Sequence, residues 1–104
     1  MPTVRILRQA AEEARGAAEW YDEERPGLGA EFARAMETAL DLIAEDLLPL
    51  APLPGPAGGQ GAKRLTLRRF PYDIVVIDRP AERVIVAVAH HSRKPGYWRN
   101  RLRP

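Results

Sequence analysis

Six consecutive apolar residues, Val84-Ile85-Val86-Ala87-Val88-Ala89, run without a polar interruption and stop at His90 and His91. A β-rich run of that length, lacking alternation, suits a strand buried on both faces and therefore one inside a sheet. Immediately beyond it stand His90, His91, Ser92, Arg93 and Lys94; Pro95 and Gly96 turn the chain, and Tyr97, Trp98 and Arg99 follow. Polar chemistry is thus gathered where a buried scaffold ends.

The rest of the chain is read around that strand. Thr3 to Leu7 alternates, with Val4 and Ile6 on one face and Arg5 on the other, as a short half-exposed strand does. From Gln9 the spacing becomes helical: Ala10, Ala14, Ala17 or Ala18, and Tyr21 share a stripe, and acids and arginines fill the other faces. Arg25-Pro26-Gly27-Leu28-Gly29 ends this helix and opens a second, whose stripe is Leu28, Phe32, Ala35 and Met36, Ala39, Ile43 and Leu47. The short connection predicts an antiparallel helical hairpin.

Residues 48–62 hold four prolines and four glycines, which predicts a long loop, mobile at its glycine end. Lys63 to Arg69 alternates as a strand, Phe70-Pro71-Tyr72 is a turn, Asp73 to Asp78 is an apolar strand bracketed by acids, and Arg79-Pro80-Ala81-Glu82 turns into the central strand. Three short connections favour an antiparallel meander, and only the helical hairpin can cover it. The expectation is a two-layer α+β domain in the order strand-helix-helix-strand-strand-strand, an antiparallel sheet covered by a helical hairpin, spanning residues 1–104.

A chain of 104 residues removes about two-thirds of its unfolded surface from water and needs no metal or disulfide to hold it. It has no cysteine, so disulfide frameworks and thiolate zinc sites are excluded, and no cofactor is expected. With neither a signal-peptide core nor an apolar run long enough for a bilayer, it reads as soluble and cytoplasmic, without a membrane partner. Charge is divided unevenly: residues 1–62 carry 5 Lys and Arg against 11 Asp and Glu, and residues 63–104 carry 11 against 3. A basic carboxyl half suits an acidic partner, nucleic acid or protein; alternatively the halves neutralise each other across the fold.

His90 and His91 are adjacent on a strand and so point to opposite faces, which argues against one shared metal. A hydrogen-bonded role at the strand end is the commoner fate for such a residue. The functional alternative makes His91 a general acid or base on a phosphodiester. Metal-independent RNA cleavage needs a base, an acid and fixed cations, and Arg69, His91, Arg93 and Tyr97, with Lys94, supply those types. A solvated basic rim accounts for the same residues. Tyr97 and Trp98 suit base stacking, although anchoring of the chain is the expectation favoured for Trp98. Trp20 is a packing residue or part of a partner surface, and Arg64, Arg68, Arg93, Lys94, Trp98 and Arg99 are the positively charged or aromatic positions a partner would read.

Several of these segments occur together in one family. Trp20-Tyr21, Pro26-Gly27-Leu28-Gly29, Glu31-Phe32, Arg69-Phe70-Pro71-Tyr72, and Ala87 to Pro95 with Tyr97, Trp98 and Arg101 resemble the RelE/ParE toxin superfamily, most closely its ParE-like, plasmid-stabilisation branch. The resemblance implies a strand, a helical hairpin and a three-stranded meander. It also implies the toxin of a type II toxin-antitoxin pair, neutralised by a small antitoxin. ParE-like members inhibit DNA gyrase without catalysis, whereas RelE-like members cut messenger RNA on the ribosome. After the turn aromatic, where the ribonucleases carry a phosphate-binding arginine, this chain has Asp73, and a carboxylate there repels phosphate. Arg93 and Tyr97 fall near the positions of the ribonucleases' carboxyl-end arginine and tyrosine. The resemblance therefore implies a gyrase inhibitor first and a ribosome-dependent ribonuclease second, with a non-toxic antitoxin-binding module as a third possibility.

Overall fold

The computed structural model describes residues 3–55 and 61–102. Strand β1 (Thr3–Ile6) leads into helices α1 (Arg8–Glu24) and α2 (Leu28–Ala44); a two-residue strand β2 (Ala51–Pro52) precedes β3 (Ala62–Thr66), β4 (Tyr72–Arg79) and β5 (Glu82–His90), and a 3-10 turn (Arg99–Leu102) closes the chain. The sheet runs β1-β5-β4-β3-β2. The three long strands form the antiparallel meander expected from their short connections. The sheet is not antiparallel throughout: β1 lies parallel to β5, because the helical hairpin carries the chain across the sheet between β1 and the meander.

Val84, Ile85, Val86, Ala87 and Val88 are all buried, as a strand with neighbours on both sides requires. Their faces do not alternate strictly. Val75 pairs with Ala87 and Val76 with Ile85, so Val86 is an extra residue on β5, a β-bulge. Ile85 and Val88 therefore join the core under the helices, while Val86 and Ala87 both face the opposite layer.

The helical hairpin covers the first face. Ala10 and Ala17 of α1 and Phe32, Met36, Ala39 and Ile43 of α2 meet Ile74, Val76, Ile85 and Val88 of the sheet. Tyr21, Phe32, Phe70 and Tyr72 form an aromatic cluster, with Tyr21 and Phe70 centroids 5.0 Å apart, which pins the Phe70-Pro71 turn to the hairpin. Between the helices, Asp22 Oδ1 accepts the amide protons of Gly27 (2.9 Å) and Gly29 (3.3 Å) and so caps α2 from the side chain of α1. A Cβ on Gly29 would press on the Ala18 carbonyl oxygen and stand 2.9 Å from Asp22 Cβ. Gly29→Ala should therefore cost about 2 kcal/mol, which thermal unfolding would register as a Tm lower by about 10 °C.

The α2 stripe stops short of its expected end. Asp46 adopts a left-handed conformation, φ 55°, and the amides of Asp46 and Leu47 bond back to the carbonyls of Ile43 and Leu42. This is a Schellman cap, and it turns Leu47 out of the helix into solvent. Arg83 braces the same end: it donates to the Ile43 carbonyl at 2.9 Å and pairs with Asp46 and Asp78 at 3.0 and 2.8 Å.

The segment 48–62, expected as a loop throughout, contains the edge strand β2, which Pro52 ends after two residues. Its glycine-rich stretch 56–60 lies outside the described residues. No helix among the described residues is long and apolar enough to cross a membrane.

Candidate functional site

The second face of the sheet is covered by the carboxyl-terminal segment, and a cleft of about 460 Å³ lies between the two at one end. Alternation along the strands builds its floor. Leu65, Ile74 and Val88 turn toward the helices, so their neighbours Arg64, Thr66, Asp73, Val75 and Ala89 face the cleft. Residues 93–98 form its wall, turned by Gly96 at φ 79° and fixed by Trp98, which is only 3% exposed against Val75, Val84 and Val86.

Asp73 is the electrostatic centre of the floor. Thr66 Oγ1 donates to it at 2.7 Å, His91 Nε2 lies 3.0 Å from the same oxygen, and Arg64 Nη1 is 3.6 Å from the other. The carboxylate thus neutralises one of the cleft's cations and orients the imidazole, leaving Arg93 and Lys94 as the remaining positive charges. His90 stands at the cleft's margin with its ring edge-on to Tyr72 at 5.0 Å. The Ser92 amide donates to its Nδ1 at 3.0 Å, so the neutral ring carries its proton on Nε2. The two histidines share no metal position, and no group of His, Cys, Asp and Glu suited to a metal ion occurs among the described residues.

Beside the cleft, Glu13 of α1 reaches past the end of β1. The β1–β5 ladder finishes at Ile6 and Ile85, which leaves the next outward groups of β5 without a strand neighbour. Glu13 accepts the Val88 amide proton at 3.0 Å, and Arg101 donates to the Val86 carbonyl at 3.0 Å. Arg101 also grips Glu13 with two nitrogens, at 2.8 and 2.9 Å, and the Tyr97 hydroxyl donates to it at 2.5 Å. A helix carboxylate and a tail guanidinium therefore finish the sheet edge where the strand is missing. Burial, followed by the Glu13 carboxylate, pushes the Tyr97 hydroxyl far above the usual tyrosine range. Burial also pushes Glu13 upward, but the hydrogen bonds from Arg101, Tyr97 and Val88 outweigh it and hold the carboxyl below its ordinary value.

Of the residues expected to act as a ribonuclease, His91, Arg93 and Tyr97 line the cleft, with the Arg93 guanidinium 3.9 Å above the Tyr97 ring. Arg69 does not join them. It lies in the β3–β4 turn on the helix side, paired with Glu31 at 2.8 Å, and lines a separate groove between α2 and β3. Among the proposed partner contacts, Arg64 and Lys94 line the cleft, Arg68 lines the groove, and Arg99 is exposed with its Nε donating to the Gly96 carbonyl. Trp20 stands 55% exposed on α1, edge-on to Tyr21. Trp98, placed among those contacts as well as in an anchoring role, is buried and serves the second. Sequence reasoning gave no place to Glu13 or Thr66. Thr66 could have been found from β3 alternation, whereas nothing in the helical pattern separates Glu13 from Glu12.

The acidic and basic halves do meet across the fold, through Glu13–Arg101, Glu31–Arg69 and Asp46–Arg83. That neutralisation is incomplete, because Arg93 and Lys94 remain at the cleft without a carboxylate of their own among the described residues.

Comparison with protein-family models gives no match, and comparison with curated proteins gives none either. Among solved structures, a chain described as "Chromosomal ParDE TA system from P. aeruginosa" superposes with a TM-score of 0.73 at 17% identity, over 86% of this chain and 96% of that one. At such an identity the likeness concerns architecture, and it agrees with the strand, helical hairpin and meander that the sequence segments led one to expect. The chain therefore has a ParE-like fold of the RelE/ParE type.

Proposed function

We propose that this chain is the toxin of a toxin-antitoxin pair, that it acts by binding DNA gyrase rather than by catalysing a reaction, and that a small antitoxin neutralises it. The likeness to a ParDE TA chain supports the toxin-antitoxin assignment. The observation that favours binding over catalysis is the state of Tyr97: its proton is committed to Glu13 and its ring is covered by Arg93, so it is placed to hold the tail rather than to exchange a proton with a substrate. Asp73 in the cleft floor and the separation of Arg69 point the same way.

A second reading, a ribosome-dependent ribonuclease, is favoured by one feature: His91, oriented by Asp73, shares the cleft with Arg93 and Lys94. The purified chain added to a gyrase supercoiling assay and to ribosomes programmed with messenger RNA separates the two. Inhibited supercoiling with intact messenger RNA is expected. Under the ribonuclease alternative the message is cut instead, and Arg93→Ala should then lower cleavage about 10²-fold or more with the fold retained. Activity in neither assay, with antitoxin still bound, would identify a non-toxic binding module.

A further inference from the structure

We infer that Asp73 is a built-in occupant of an anion site: its carboxylate takes the donors in the cleft floor that a phosphate monoester would otherwise use, and so keeps such ligands out of a pocket that is complete in other respects. This occupancy is a property of the cleft alone, whichever target the chain acts on.

Strand register sets the contacts. Asp73 on β4 stands opposite Thr66 on β3, and the Thr66 hydroxyl donates to Asp73 Oδ1 at 2.7 Å. His91, one residue beyond β5, is tied in place by its own amide, which donates to the Pro71 carbonyl at 2.8 Å. Its Nε2 lies 3.0 Å from the same Oδ1, and because an ionised carboxylate only accepts, Nε2 is the donor. Arg64 Nη1 stands 3.6 Å from the other oxygen. Hydroxyl, imidazole and guanidinium therefore converge on one carboxylate. Its side chain is 15% exposed, against 40% for Arg64 and 44% for His91, so the anion is the enclosed member of the group and is ringed by donors as a bound ligand would be.

The surroundings suit a phosphate. Asp73 is the one acid lining the cleft among the described residues, while Arg93 and Lys94 add two cations to that of Arg64. Leu53, Val75 and Ala89 supply an apolar surface for a ring or short chain beside the charged end. The cleft's volume, about 460 Å³, falls in the range of small-ligand sites, about 300–1,000 Å³. An incoming dianion must either displace Asp73 from Thr66 and His91 or lie against its charge, and both weaken binding. Without the carboxylate, the same donors and three cations face one position.

The test titrates phenyl phosphate, and separately inorganic phosphate, into the full chain and follows amide chemical shifts by nuclear magnetic resonance. Asp73→Ser removes charge and bulk, whereas Asp73→Asn removes charge alone. Asp73→Ser should bind phenyl phosphate at least about 10-fold more tightly than wild type, with shifts at Thr66, His91, Arg93 and Lys94, and Asp73→Asn should gain about 3-fold. Adding Thr66→Val or Arg64→Gln to Asp73→Ser should reverse most of the gain. Wild type that binds as tightly as Asp73→Ser overturns the inference, as does the lack of a gain in both variants. A gain that survives both additions places the anion on Arg93 and Lys94 alone and overturns the donor set assigned to Asp73. Circular dichroism checks the fold. Should Asp73→Ser unfold, the isosteric Asp73→Asn decides; if both unfold, Asp73 is a structural residue and the inference fails.

Discussion

Trp98→Ala should remove about 4 kcal/mol of unfolding free energy, a large share of what a domain of this size has. Trp98 is 3% exposed and fills the layer built from Val75, Ile77, Val84 and Val86. Those residues face away from the helices, and Trp98 is the largest buried side chain on them, with Leu53, Tyr97 and Leu102 only partly buried around it. Truncation leaves a large apolar void against the sheet, which the partly buried Leu53, Tyr97 and Leu102 fill only in part. Denaturation by guanidinium, followed by far-ultraviolet circular dichroism, should show a lower midpoint, and Trp98→Phe should recover much of the loss. A cost below about 1 kcal/mol would mean that the tail contributes little to the sheet's second face.

The second large effect belongs to Glu13. Glu13→Ala should cost about 3 kcal/mol at neutral pH, because it leaves Arg101 without its carboxylate and the Tyr97 hydroxyl and Val88 amide without their acceptor. The side chains of Glu13 and Arg101 are 18% and 16% exposed, so water recovers only part of the loss. The pH dependence has a definite sign. Burial alone would raise this carboxyl, but its hydrogen bonds hold it below the ordinary value of 4.5. Its stabilisation is therefore complete above that value and is lost as pH falls through the lower folded-state value. Wild type and Glu13→Ala should differ most above about pH 5 and converge on acidification. A constant gap across that range would assign the loss to packing and not to the ionised carboxylate.

These two residues mark the boundary of what the sequence discloses. The core strand, both helices and the hairpin turns follow from local pattern: an unbroken apolar run, a period of three to four, and Pro or Gly at the connections. Leu47 leaves the helical stripe because the signal that ends α2 is an aspartate in a left-handed conformation rather than the usual glycine. Strand β2 escaped because two residues beside prolines carry no alternation. At the site, His91, Arg93 and Tyr97 were drawn together by proximity in the chain, and the structure keeps them together. Arg69 fits that set by residue type alone, and it lies in the β3–β4 turn on the helix side, paired with Glu31. Glu13 becomes special only through a short β1 and a bulge in β5, relations between segments more than seventy residues apart.

Segments far apart in the sequence meet. Thr3 pairs with Glu82 at one edge, and Glu13 holds Tyr97 and Arg101, partners 84 and 88 positions away. During synthesis, then, residues 3–13 wait without their partners until residues 82–101 have been made, and these closing contacts are among the most entropically expensive the molecule makes. A fragment lacking residues 93–102 has neither a covered second sheet face nor a finished cleft.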